Sequence, residues 1–117
     1  MATGTIMSNA VLLWTNTTQT SNFAAQTIPL DLTKYKFVIV FTPSGTGTGA
    51  IAEVGGASSQ LAHISSSTNT TLGTVSNVRT FTATSSGVEF TDNISAYVGA
   101  RTAQNANCIP MKIYGIK

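Results

Sequence analysis

The feature that most constrains the fold is a series of short apolar segments spaced along the whole chain. They are rich in β-branched and aromatic residues, which favour strands, and none shows the spacing of an amphipathic helix. Loops rich in Gly, Ser, Thr and Asn separate them at short intervals. This pattern predicts an all-β protein of about seven to nine strands, folded as an antiparallel, jelly-roll-like β-sandwich. The segments are 10–15, 27–32, 35–42, 50–54, 60–65, 78–84, 87–91 and 109–117.

Three segments near the N-terminus carry more specific signals. The run 35–42 is the most hydrophobic of the chain and predicts a central strand. The near-continuous apolar run 10–15 predicts a strand buried on both faces, or one with a face covered by another subunit. In 27–32, alternate residues from Ile28 face inward, and Pro29 predicts a sheet edge because proline has no N–H to donate.

The segments 78–84 and 87–91 form the clearest hairpin, joined by a tight turn. Gly87 suits the positive φ that such turns often need. Alternation along the two arms predicts that Phe81 and Phe90 face the same core.

The last ten residues, 108–117, predict a final strand. Alternate residues from Ile109 face the core, and the outward face carries Pro110, Lys112 and Tyr114. Pro110 cannot donate to a ladder, so we expect this strand to lie at a sheet edge or to begin at the proline.

The composition argues against several classes of function. Charged residues are only 9% of the chain, and its polarity comes from 32 Ser and Thr and from eight Asn. The net charge of +2 comes from scattered basic residues, which gives nucleic-acid binding little support. No segment offers the roughly 20 apolar residues of a membrane helix. Low charge also leaves little repulsion between copies, which suits a chain that assembles.

The length of 117 residues predicts one domain. We expect residues 10–117 to form this single β-sandwich domain and residues 1–9 to be a flexible lead-in or linker. The N-terminal sequence has neither the basic start nor the long apolar run of a signal peptide.

The sequence offers few groups for catalysis. His63 is the only histidine, and no Cys, Asp or Glu stands at a ligand-like spacing from it. Glu89 and Asp92 could in principle serve a glycosidase, but two acids this close in sequence usually form a solvated rim. Cys108 is the only cysteine, so no intrachain disulfide can form. We therefore predict no catalytic residue, no metal site and no cofactor.

Exposed aromatic and basic residues are the candidates for ligand contact. Tyr97 and Tyr114 could stack on sugar rings, and Tyr114 shares its outward face with Lys112. The predicted ligand-binding residues are Tyr97, Arg101, Lys112 and Tyr114. Trp14 is instead predicted to pack in the core. The loops predicted to form the exposed, recognising end of the scaffold are 16–22, 43–49, 66–71 and 101–107.

Five groups of residues stand out when the chain is taken as a whole. They are Val11-Leu-Leu-Trp-Thr-Asn16, Phe23-Ala-Ala-Gln-Thr-Ile28, Leu30-Asp-Leu-Thr-Lys-Tyr35, Arg79-Thr-Phe-Thr with Gly87-Val-Glu-Phe90, and Ile109-Pro-Met-Lys-Ile-Tyr-Gly-Ile-Lys117. With them, the sequence from about residue 11 to residue 117 resembles small β-rich C-terminal domains of tail-fibre, baseplate and other virion-surface proteins of phages and prophages. These motifs are structural and not catalytic.

The resemblance implies an oligomeric, often trimeric, β-sandwich head on the virion surface, made in the host cytoplasm and released by lysis. Its partners would be other copies of the chain, other virion proteins and a polysaccharide of the host surface. We therefore expect a non-enzymatic tail-fibre or baseplate tip module that binds a host cell-surface glycan. The alternatives are a capsid-decoration or head-fibre protein, a stand-alone bacterial carbohydrate-binding module, and a small hydrolase that uses Glu89, Asp92 or His63.

Overall fold

The apolar segments form the strands of an all-β fold. The computed structural model describes residues 9–42, 49–66, 74–97 and 100–117, and for 62–66, 74, 75, 97 and 100 it describes the backbone alone. The described residues form ten strands and no helix. The strands are β1 (Ala10–Thr15), β2 (Gln26–Pro29), β3 (Phe37–Phe41), β4 (Ala50–Glu53), β5 (Ser59–Ser66), β6 (Thr74–Thr84), β7 (Gly87–Phe90), β8 (Ile94–Tyr97), β9 (Ala100–Ala103) and β10 (Lys112–Ile116).

A four-stranded antiparallel sheet brings together the first and last described strands. Its strand order is β1-β10-β3-β4. The strand β3 lies inside this sheet, as its hydrophobic sequence predicts, because it bonds to β10 on one side and to β4 on the other. The strands β1 and β4 form the two edges.

The second sheet has six strands and is organised by the long strand β6. On one side β6 pairs with β5 over eight residues. On the other side its C-terminal part pairs with β7 and its N-terminal part pairs with β8. The strand β2 extends the sheet beyond β7, and β9 extends it beyond β8. The strands β7 and β8 therefore share one side of β6 and meet near Arg79 and Thr80.

The apolar core lies between the two sheets. Alternation along each strand sends every second side chain into this layer, where sheet-on-sheet packing removes it from water. The buried core residues from the two sheets include Val38, Val40, Ala52, Ile113, Leu61, Phe81, Ala83, Val88 and Phe90. The prediction of an antiparallel β-sandwich is confirmed.

The predicted hairpin forms between β6 and β7, with Phe81 and Phe90 paired and buried. Gly87 opens the second arm with a φ of 157°. A Cβ atom at this position would overlap the carbonyl oxygen of Ile28 on β2, so glycine lets β2 approach β7 closely. As predicted from Pro29, β2 is an edge strand of its sheet.

The first strand departs from one sequence expectation. Burial of the run 10–15 on both faces is wrong, because Val11 is 42% exposed and Leu12 is 48% exposed. A bulge between Leu12 and Trp14 inserts one extra residue, and it lets both Leu13 and Trp14 pack against the core. Trp14 thus packs as predicted. That another subunit covers the outer face of this strand stays a prediction.

The last strand also differs from its sequence reading. It begins at Lys112, after Pro110, and it lies inside the sheet between β1 and β3, so the edge placement is wrong. Pro110 is fully buried and does not face outward. The N–H of Met111 donates to the carbonyl of Phe41, which joins the chain to β3 just before the ladder begins.

Two short strands, β8 and β9, lie between the segments 87–91 and 109–117, where the sequence predicted no strand. Residues 100–103 form β9, so the predicted loop 101–107 is correct only after Ala103. The loop 16–22 is described, but its first residue, Asn16, is only 3% exposed. Its side-chain N–H groups donate to the carbonyls of Gln19 and Pro110, so it ties this loop to the chain before β10. Residues 1–8, 43–48 and 67–73, with most of two predicted loops, lie outside the described residues.

Candidate functional site

The structure places the sequence-predicted ligand residues on different sheets. Lys112 and Tyr114 lie on the outer face of the four-stranded sheet, because the residue between them, Ile113, is fully buried. Tyr97 ends β8, and its side chain is outside the described residues. Arg101 lies on β9 of the six-stranded sheet and is exposed. Lys112 and Tyr114 therefore belong to a different surface from Arg101.

An open groove lies on the six-stranded sheet, where β7 and β8 meet along β6. Its volume is about 500 Å³. The β6 side chains that line it face outward, because Asn77, Arg79 and Phe81, which alternate with them, are buried. We call it the Arg101 groove. Its lining residues are Gln60, Val78, Thr80, Thr91, Asp92, Ile94 and Arg101.

The rim of the groove carries fixed hydroxyl and carboxylate groups. The hydroxyl of Thr91 accepts a bond from the Thr80 N–H at 3.0 Å and lies 3.0 Å from the Thr80 hydroxyl. The Oδ1 atom of Asp92 accepts bonds of 2.9 Å from the Ala25 N–H and the Asn105 side-chain N–H. These bonds favour the charged form and lower the pKa of Asp92, so it is ionised at neutral pH.

The remaining walls add apolar surface and a cation. Val78 and Ile94 are half-buried and give the groove two aliphatic sides. The Arg101 guanidinium offers planar, paired N–H donors. The groove therefore combines donors, acceptors and apolar contact in one concave surface, which is the usual make-up of a site for a small polar ligand.

A fully buried arginine supports the groove from beneath. The Arg79 side chain donates four hydrogen bonds, to the carbonyl oxygens of Cys108 (3.0 Å), Thr91 (2.7 Å) and Asn107 (3.2 Å) and to the Asn105 side-chain oxygen (3.5 Å). Its guanidinium carbon also lies 5.2 Å from the centre of the Phe23 ring. Burial lowers the pKa of Arg79. Arg79 thus joins the β7–β8 connection to the loop that precedes β10.

A buried polar cluster continues from Arg79 toward β8. The side-chain oxygen of Asn77 accepts hydrogen bonds from the Asn93 amide, at 3.2 Å, and from the Ser95 hydroxyl. Asn93 is fully buried, and its own side-chain oxygen has no hydrogen-bond partner among the described residues. These amides hold the start of β8 in place and fix one wall of the groove.

Cys108 is buried beside this cluster. Its thiol lies 3.6 Å from the Asn77 carbonyl, and burial raises the pKa of the thiol. A raised pKa and full burial keep the thiol protonated and out of reach of reagents. Its backbone φ of 50° is rare outside glycine, and its carbonyl is the one that accepts the Arg79 Nε–H.

The outer face of the four-stranded sheet is of a different kind. Four of the five exposed large apolar side chains in the described ranges lie on it: Leu12 (48%), Phe37 (37%), Phe41 (39%) and Ile51 (53%). Register places Leu12, Tyr114, Ile39 and Ile51 in one row across the four strands. The Tyr114 ring packs edge-on against Phe41 at 5.6 Å. We call the surface formed by Leu12, Phe37, Ile39, Phe41, Ile51 and Tyr114 the apolar face.

The structure does not assemble the residues weighed for catalysis. His63 lies on β5 opposite Asn77, and its side chain is outside the described residues. Glu89 is exposed on β7, whereas Asp92 is held by Ala25 and Asn105. Among the described residues, no group of three or more His, Cys, Asp or Glu could hold a metal ion.

Sequence reasoning found Arg101 but missed the rest of its groove and the arginine beneath it. The groove depends on β7 and β8 sharing one side of β6, and no local pattern encodes that pairing. Arg79 left a usable signal, because it stands two residues before Phe81 and so on the inward side of the same strand. An arginine at an inward position of a strand predicts a buried polar network.

Comparisons with protein-family models, with curated proteins and with solved structures found no match to this chain. In the part of the chain that the structure describes, no helix is long and apolar enough to cross a membrane.

Proposed function

We propose that this chain is a non-enzymatic recognition module that binds a cell-surface glycan in the Arg101 groove. The observation that carries the proposal is the make-up of this groove, which joins threonine hydroxyls, an ionised carboxylate and an exposed guanidinium to aliphatic walls. Sugars present hydroxyl groups around an apolar C–H surface, so they match this combination. Its volume of about 500 Å³ lies within the range of about 300–1,000 Å³ typical of small-ligand sites.

The groove residues have complementary roles toward a sugar. Asp92 accepts hydrogen bonds from ligand hydroxyls, and Arg101 donates to ring or carboxylate oxygens. Val78 and Ile94 contact the C–H face of the ring. The hydrogen bonds that already hold Asp92 and Thr91 orient these groups before the ligand arrives, which lowers the entropy lost on binding.

We place the module on a phage virion, as a tail-fibre or baseplate tip, because of the sequence resemblance to such domains. The unequal outer faces of the sandwich support this placement. The six-stranded sheet carries the polar groove, and the four-stranded sheet carries the apolar face, so one side suits recognition and the other suits assembly. Several copies on one virion would turn weak sites into useful avidity.

A second candidate is a capsid-decoration or head-fibre protein, favoured by the apolar face alone. In that case the apolar face would dock on the shell, and the groove would bind no glycan. A stand-alone bacterial carbohydrate-binding module would use the groove but would need no partner on the apolar face.

A glycan array followed by calorimetric titration of the best ligand tests the proposal. We expect Arg101→Ala to weaken binding about tenfold, roughly 1.4 kcal/mol, because it removes a charged hydrogen-bond donor. Lys34→Ala removes an exposed cation elsewhere and serves as the matched control. Lys112→Ala tests the sequence-predicted surface with Tyr114. If no glycan binds, or if Arg101→Ala binds as the wild type does, the groove is not the recognition site.

A further inference from the structure

Glycan binding in the Arg101 groove does not explain why the apolar face is exposed to water. Exposed apolar side chains are normal when scattered, but four of the most exposed ones are gathered here on one sheet. Charges stand only at its margin. We propose that the apolar face is a self-association surface, and that it packs against the same face of a second copy of this chain around a two-fold axis at Ile39.

The positions of two opposite charges select this partner. Lys112 pairs with Phe41 at one end of β10, and Glu53 pairs with Phe37 at the far end of β4. Both are exposed. Ile39 lies midway between them, one strand and two residues from each. With strands about 4.8 Å apart and alternate residues about 6.7 Å apart, each charge lies about 8 Å from Ile39.

A single two-fold axis gives both Lys112 and Glu53 an opposite charge on the second copy. The axis lies in the plane of contact, passes through Ile39 and runs at right angles to the line from Lys112 to Glu53. It sets Lys112 of each copy over Glu53 of the other copy, so two opposite-charge pairs form. The strands of the two sheets then cross at about 70°, close to the orthogonal class of sheet packing.

The same operation matches apolar positions with apolar positions. The register that places the charges also fixes every other residue of the face. In the pair of copies, Phe41 meets Ile51, Tyr114 meets Phe37, Leu12 meets Ile116, and Ile39 meets Ile39. Self-complementarity of one patch is the requirement for a two-fold interface. A two-fold axis along β3 through Ile39 would instead set β10 over β4, place Lys112 over Gly49 and leave the charge without a partner.

The size of the face sets the strength of the pair. Four strands of five residues cover about 19 by 17 Å, or roughly 300 Å² per copy. Stable interfaces bury about 800 Å² per partner. We therefore expect a weak dimer, with a dissociation constant in the micromolar to millimolar range, that becomes stable where an assembly holds many copies together. This inference goes beyond the proposed function, and it does not depend on glycan binding.

Sedimentation velocity of the purified chain over a range up to about 1 mM tests the surface. We expect the mass to rise with concentration toward twice 12.1 kDa. Ile51→Lys, at a position 53% exposed, should abolish the rise by placing a charge inside the contact. Thr27→Lys is the matched control, because it adds the same charge to an exposed strand position of the other sheet, and it should leave association unchanged.

A charge exchange tests the two-fold geometry itself. Lys112→Glu or Glu53→Lys alone should weaken association at least about tenfold, because each sets like charges against each other twice. The double variant should return to within about threefold of the wild type, because the pairs re-form with reversed signs. A chain that stays monomeric, or a double variant no better than the single ones, would overturn the proposal. A trimer of three times 12.1 kDa would overturn the two-fold pairing.

Discussion

Arg79 gives the sharpest test of how this fold is held together. Its substitution by alanine removes four hydrogen bonds, three of which are 3.2 Å or shorter. Hydrogen bonds to a charged group contribute about 1.5–3 kcal/mol each. The alanine variant also avoids the desolvation cost of burying the guanidinium, which offsets part of that loss. We expect the free energy of unfolding to fall by about 4 kcal/mol, which is a large part of the 5–15 kcal/mol typical of a domain.

Lysine at this position separates charge from geometry. Arg79→Lys keeps the cation, but one ammonium group cannot reach acceptors spread around a guanidinium fork, so we expect a loss of about 2 kcal/mol. Urea unfolding monitored by the fluorescence of Trp14 measures these losses. The melting temperature of Arg79→Ala should fall by about 15 °C.

Arg101→Ala is the control, because it makes the same change at an exposed arginine and should stay within about 0.5 kcal/mol of the wild type. Hydrogen exchange adds a local readout. In Arg79→Lys the amides of residues 104–108 should exchange faster, because the carbonyls of Asn107 and Cys108 have lost a donor and this loop opens more easily. If the free energies of unfolding of Arg79→Ala and Arg101→Ala differ by less than about 1 kcal/mol, the buried guanidinium does not hold the loop to the sheet.

Two further predictions concern the hairpin and the carboxylate of the groove. Gly87→Ala should lower stability by about 2–3 kcal/mol in thermal unfolding, because its Cβ would overlap the Ile28 carbonyl and part β2 from β7. The bonds from Ala25 and Asn105 depress the pKa of Asp92 in the fold, so its stabilising effect is complete above the ordinary value of 3.8 and is lost as pH falls through the lower, folded value. Between pH 5 and pH 2 the free energy of unfolding should therefore fall less steeply for Asp92→Asn than for the wild type.

These two predictions have distinct controls. Gly55→Ala places a Cβ where nothing lies within 4 Å, so it should show only the smaller strain of a positive φ, about 1 kcal/mol. Equal losses at the two glycines would contradict the close approach of β2. Asp31 has a pKa lowered by Thr33, so Asp31→Asn reports a turn of similar chemistry away from the groove. If Asp92→Asn keeps the full acid sensitivity of the wild type, other groups cause it.

Much of the architecture could be predicted because it is encoded locally. The alternation around Phe81 and Phe90, the turn at Gly87 and the edge signal of Pro29 depend only on neighbouring residues, and the structure confirms them. The turn at Asp31 is local in the same way, since its carboxylate accepts hydrogen bonds from the N–H and the hydroxyl of Thr33. Patterns of this kind reflect the chain's own geometry and need no distant partner.

The sequence by itself therefore determined that the chain is a sparsely charged β-sandwich, and which side chains of most strands face inward. Only the tertiary structure decided that β10 lies between β1 and β3 and that β7 and β8 meet on one side of β6. The first pairing creates the apolar face, and the second creates the Arg101 groove above the buried Arg79. Pairing between distant strands depends on which complete set of ladders and buried side chains has the lowest free energy, and no single segment carries that information.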